Sequence, residues 1–199
     1  MSRALLKFAV VVAVLLISGC VVQSLHPFFT KDAVIPLPAK LAGKWDVFDP
    51  DDKSIAKKPW EFQEDGDVIT YDDKGRRGKL EATFFKVGEQ LYVDATAGGA
   101  VEKNQGMWHA MTMLPVHVVC KVEISEEEVL LRPLDFKWMK KALKKEKVKL
   151  SKEDVKVEGD DHFVLTASSE QWMKFLEEMG DRAFHKEFTI VLKRPAKKR

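Results

Sequence analysis

Between residues 45 and 97 the chain is a succession of short alternating segments separated by turn-forming clusters, and this spacing restricts the fold more than any other feature. "WDVF" at 45–48 runs into "DPDD", "WEFQ" at 60–63 into "EDGD", and "VITY" at 68–71 into "DDKG". Strands so close in sequence pair antiparallel through hairpins, because a parallel neighbour needs a crossover of about a dozen residues or more. The acidic clusters lack the ligand spacing of a calcium loop and read as turns. Further along, "GKLEATFFKV" sets Leu80, Ala82 and Phe84 against Lys79, Glu81 and Thr83, and "GEQLYVDATA" turns Leu91, Val93 and Ala95 inward. The clearest period of two is in "PVHVVCKVEI", where Val116, Val118, Cys120, Val122 and Ile124 share one face and His117, Val119, Lys121 and Glu123 the other. "EEVLLRPL" answers it across a tight turn, "HFVLTA" places Phe163 and Leu165 inward, and "EFTIVLK" does the same with Phe188, Ile190 and Leu192. A meander of such strands has to curl or close to protect its edges. The expectation is a mainly β, antiparallel barrel of about eight or nine strands, each with one buried face.

Two helices interrupt the strands. Asp135 is placed to cap "FKWMKKALKKE", whose stripe is Phe136, Met139, Ala142 and Leu143. Ser168 with Gln171 forms a capping box for "SEQWMKFLEEM", which stops at Gly180 and carries the stripe Trp172, Phe175, Leu176 and Met179. These stripes predict helices lying over a barrel mouth or a sheet face.

The N-terminus fixes the compartment. Residues 8–17 are almost wholly apolar and follow Arg3 and Lys7, but the run is about half the roughly 20 residues a membrane-crossing helix needs. It matches the apolar region of a signal peptide. Leu16-Ile17-Ser18-Gly19-Cys20 resembles the lipobox of bacterial lipoproteins, in which the cysteine receives diacylglycerol and becomes the first residue. That resemblance implies removal of residues 1–19 and a lipidated Cys20; residues 20–40, with three prolines and no clean period, read as a tether and arm in which Phe28 and Phe29 dock. This leaves one barrel domain over 41–195 and a basic tail at 196–199. Val21 stands where an acidic residue would signal inner-membrane retention, so the resemblance implies the outer membrane and its periplasmic face.

Lys and Arg number 33 against 31 Asp and Glu, and loss of Arg3 and Lys7 with the signal peptide equalises them. A neutral chain offers no global electrostatic case for nucleic acid. The basic runs at 137–152 and 193–199 read as solvated surface. With Cys20 lipidated, Cys120 has no cysteine left to pair with, and stability falls to a packed core.

"LAGKW" carries the Gly-x-Trp pattern, Gly43 and Trp45, that opens the first strand of lipocalins. The wider chain is similar to lipocalin-like bacterial lipoproteins, which share a "SLHPFF" segment after the lipidated cysteine and a later "LPVHVV" strand. The resemblance covers most of the mature chain and implies a lipocalin or calycin-like barrel with the tryptophan across its closed end. It implies an arginine covering that tryptophan, for which Arg182 and Arg194 are the candidates. One departure stands out: lipocalins place their main helix between the last two barrel strands, whereas this sequence sets one helix after "VLLRPL" and another after "HFVLTA".

No catalytic constellation is legible. Cys120 alternates with valines and lacks a neighbouring cation, and His117 falls on the opposite face of its strand. The five histidines show no metal-ligand spacing, "AGGA" lacks the lysine of a phosphate loop, and no metal or cofactor is expected. The reading is a non-enzymatic, membrane-anchored lipoprotein that holds a lipid or other apolar small molecule in an interior lined by Leu80, Phe84, Leu91, Val93, Val118, Val122, Phe163 and Phe188. The alternative is a structural or assembly module with a filled barrel. The glycine-hinged stretch 97–115, with Met107, Trp108, Met111 and Met113, is either a lid over the barrel entrance or core folded across it.

Overall fold

The computed structural model describes residues 21–49, 53–56, 58–71, 75–97, 116–157, 160–186 and 188–195, with backbone alone at 155–157 and 160–162. Strands β1 (Val34–Ile35), β2 (Gly43–Asp49), β3 (Ser54–Ile55), β4 (Trp60–Phe62), β5 (Asp67–Tyr71), β6 (Arg77–Val87), β7 (Gln90–Ala97), β8 (Val118–Ile124) and β9 (Glu128–Pro133) precede helix α1 (Phe136–Lys144). A hairpin of β10 (Lys152–Val157) and β11 (Asp160–Leu165) follows, then helix α2 (Ser169–Met179) and strand β12 (Ile190–Lys193).

The barrel predicted from the alternating pattern is present and closed. β2, β4, β5, β6, β7, β8, β9 and β12 pair antiparallel in that order, and β12 returns to β2 through Val191↔Phe48, Leu192↔Val47 and Lys193↔Asp46. Closure removes the free edges that a meander would otherwise expose. The two ends of the ring differ. One end carries the short turns at 63–66, 88–89 and 125–127; the other receives the long connections at 50–59, 72–76, 98–117 and 134–189.

The short-turn end is sealed around Trp45, which is fully buried. Its indole N–H donates to the Leu41 carbonyl at 2.7 Å, and the Arg194 guanidinium lies 3.9 Å above its ring. Arg194 also donates to the carbonyls of Lys40 and Ala42. Of the two candidate arginines it is therefore Arg194 that covers the tryptophan, joining the residue that follows the last barrel strand to those that precede the first. Gly43 takes a φ of +100°, a backbone conformation costly for any side chain.

A second core lies outside the barrel. The outward side chains of β6, β7 and β8, among them Phe85, Tyr92 and Val119, are buried against Val22 and Phe28 of the N-terminal arm, both helices and β11. The expectation that each strand buries one face fails here, because residues 134–189 fold back over the same wall. Both caps form as the sequence predicts: Asp135 accepts from the Trp138 amide at 2.9 Å, and Ser168 and Gln171 make the reciprocal box. Because β10 and β11 lie outside the barrel ring, both helices fall between the last two barrel strands, β9 and β12. The supposed departure from lipocalin order disappears.

The arm is packed from its first described residue rather than acting as a tether. Val21 bridges to Asp135, Val22 is buried, and Ser24 exchanges backbone hydrogen bonds with His117 at 3.0 and 2.8 Å. The Leu25 amide donates to the Leu165 carbonyl at 2.9 Å, so the arm fills the gap between β8 and β11. Phe28 lies 4.3 Å from the Trp172 ring and Phe29 5.6 Å from Phe85, which is the docking the two phenylalanines suggested. Phe28→Ala empties this junction and should lower the unfolding free energy by about 3–5 kcal/mol, as for other buried aromatics. Urea denaturation reads this directly, and a loss under about 1 kcal/mol would show that the arm is not part of the core.

Candidate functional site

Register places the barrel interior residue by residue. Leu80, Phe84, Leu91, Val93 and Val122 face inward as expected, with Trp45, Trp60, Phe62, Val129, Leu131 and Leu192. Val118 shares their side of the sheet through its pairing with Ala95. Two assignments are corrected. Phe163 stacks on Phe136 at 4.8 Å in the outer core, because its strand pairs with β10 instead of joining the barrel. Phe188 precedes β12 and meets the His185 ring edge-on at 5.8 Å. Cys20 and the proposed lid residues Met107, Trp108, Met111 and Met113 lie outside the described residues.

Side-chain size varies along the inner wall. The short-turn end is filled by Leu41, Trp45, Phe62 and Leu192, each 3 % exposed or less. Toward the long-connection end, Ala82, Ala95 and Val118 sit side by side across β6, β7 and β8, and all three are half-buried. The row forms a shallow bowl of small side chains in the inner wall, bounded on β6 by the buried Leu80 on one side and Phe84 on the other.

Two groups in this wall carry chemistry. Thr70 points inward beside Gly78, is fully buried, and its hydroxyl has no hydrogen-bond partner among the described residues. A buried hydroxyl left unpaired costs about 1–3 kcal/mol. Cys120 lies one row deeper than Val118. The surrounding protein pushes its thiol pKa up to about 12, although the residue as a whole keeps partial exposure. At neutral pH such a thiol is protonated and a poor nucleophile.

The polar groups on the outer wall were missed by sequence reasoning, which assigned that face to solvent. Asp94, buried on β7, accepts from the Phe28 amide at 2.9 Å and meets His117 Nδ1 at 2.7 Å. Ser24 is close by, but its hydroxyl donates to the His26 carbonyl and accepts from the Trp172 indole, so it is engaged in structure. Lower on β8 the buried Lys121 pairs with Asp181, and its hydrogen bond holds the Asp181 carboxyl below the usual range. Burial, helped by the Asp181 charge, pushes the neighbouring Tyr92 phenol up to about 12. Both clusters clamp the outer layer to the barrel.

A separate cleft of about 660 Å³ lies on the outside near the short-turn end, lined by residues 42–43 and 61–65. It is wide open and bordered by Glu61, Glu64 and Asp65, which suits water better than an apolar guest. Among the described residues, no group of three or more His, Cys, Asp or Glu is arranged to hold a metal ion.

No family model matches this chain, and neither the curated proteins nor the solved structures return a match. Thr70→Val removes the unpaired hydroxyl at nearly constant shape and should raise the unfolding free energy by about 1 kcal/mol. A destabilisation of that size in urea titrations would mean that the hydroxyl is satisfied in solution.

Proposed function

We propose that this protein is an envelope lipoprotein of the lipocalin-like kind, anchored through Cys20, that takes a lipid or other apolar small molecule into the open end of its barrel. The carrying observation is the row Ala82, Ala95 and Val118, small inward side chains that stay half-buried between the buried Leu80 and Phe84. A small barrel is either filled by side chains or holds one ligand, and the small side chains of this row leave room for a guest. The unpaired Thr70 hydroxyl supports a guest that carries one polar group on an apolar body. Burying about 300 Å² of acyl chain at about 25 cal/mol per Å² yields roughly 7 kcal/mol before association costs, which corresponds to modest affinity.

The dense packing around Trp45 and Phe62 favours a second reading, a structural or assembly lipoprotein with a barrel that takes no ligand. Titration with a fatty acid or a lysolipid separates the two, with tryptophan emission as the readout because Trp60 faces the interior. The expected result is a saturable shift in wild type that disappears in Ala95→Phe, a variant that fills the bowl and keeps its thermal transition. Flat titrations across several lipid classes, with no lipid detected in native mass spectra of the purified protein, would establish the filled barrel.

A further inference from the structure

We infer that the lysine face of α1 is a docking surface for anionic phospholipid headgroups, set against the bilayer by the lipid on Cys20; this inference rests on the anchor reading above. Met139 and Ala142 bury one side of α1, and at 100° per residue Lys137, Lys141 and Lys144 project from the opposite side. The cluster continues beyond the helix. Seven lysines are exposed between positions 137 and 149, against one exposed acid, Glu146. Such a local concentration is unusual in a mature chain whose acids and bases balance.

What commits this surface to a membrane is its position. Val21, the residue after Cys20, pairs with Asp135, and Asp135 is the N-cap of α1. Val22 and Ser24 are buried, so the described chain is held against the folded body from Val21 onward, the residue next to Cys20. The chain therefore enters the folded body at Val21, beside the first turn of α1, and the helix's nine residues extend about 14 Å from there. Electrostatic attraction to an anionic surface decays within about 8 Å at physiological salt, so a basic patch matters only when something holds it there. Packing of the chain from Val21 onward supplies that hold.

The test uses protein purified from membranes and reconstituted in vesicles of phosphatidylcholine, alone or with about a third phosphatidylglycerol. Intact mass reports whether Cys20 is acylated, and an amine-reactive acetylating reagent reports the accessibility of each lysine. Lys137, Lys141 and Lys144 should react about fivefold more slowly on the anionic vesicles, the equivalent of about 1 kcal/mol of headgroup contact per lysine. Lys44, on the opposite wall of the barrel with a side chain 61 % exposed, should react equally in both. High salt should abolish the difference. Acylated protein whose α1 lysines react equally on both vesicles overturns the docking surface and leaves the anchor intact. An unacylated N-terminus overturns the anchor. Co-sedimentation then judges the surface alone: anionic-selective binding lost in the K137E/K141E/K144E variant supports it, and binding without lipid selectivity refutes it.

Discussion

The wall formed by β6, β7 and β8 is buried on both faces, and the rest of the molecule is arranged around that constraint. Its inner residues, Phe84, Val93 and Val122, belong to the barrel core, while its outer ones, Phe85, Tyr92 and Val119, belong to the second core. A strand with an apolar outer face has to be covered, and the covering is drawn from both ends of the chain: the arm before the barrel and the insertion between its last two strands. The two buried charged groups of this interface, Asp94 and Lys121, are both paired. Asp94 is held by His117 and the Phe28 amide, and Lys121 by Asp181. An unpaired charge in either place would cost several kcal/mol, so the two clusters fix where the arm and the end of α2 sit. Asp181 has a lowered pKa, so its contribution is present above the ordinary carboxylate range and fades as pH falls through its folded value.

Most barrel strands and their inward faces and both helix caps were legible in the sequence, because each is written in local period and turn chemistry. Misreadings arose where a strand's partner lies far away. The pattern of "HFVLTA" is the same for a barrel strand and for an outer hairpin, and only the pairing of Phe163 with Asp154 decides it. That partner, β10, lies in "SKEDVKVEG", a stretch left unassigned because only two valines stand among its charges. His117 and Lys121 were assigned to solvent for the same reason: alternation marks two faces but does not say what covers the polar one. Val119, a β-branched apolar residue on that supposedly wet face, was the available signal. Of the candidate site, the inner residues of β6 to β8 could be read from the sequence. The bowl could not, because it depends on Ala82, Ala95 and Val118 falling into one row through strand register.

The division of labour between the ends of the barrel follows from the same connectivity. Trp45, Leu41 and Arg194 lock the first and last strands together at the short-turn end, and under the proposed function a guest enters at the end with long connections. The arm reaches the opposite wall from β2, so arm and outer core converge on β6 to β8. Under the proposed function, a molecule in the bowl and a bilayer beneath α1 would contact two faces of one rigid wall.

The central claim is that both cores fold as one unit through this shared wall, arm included. Native-state amide hydrogen exchange of the full chain tests it most directly. The amides of Ser24, Leu25 and Leu165, which stitch the arm between β8 and β11, should exchange with the same opening free energy and denaturant dependence as those of Val93 and Val122 in the barrel. Exchange of the three stitching amides through a separate opening of much lower free energy, with the barrel amides still protected, would contradict it: the arm and outer layer would then be an appendage on an independently stable barrel.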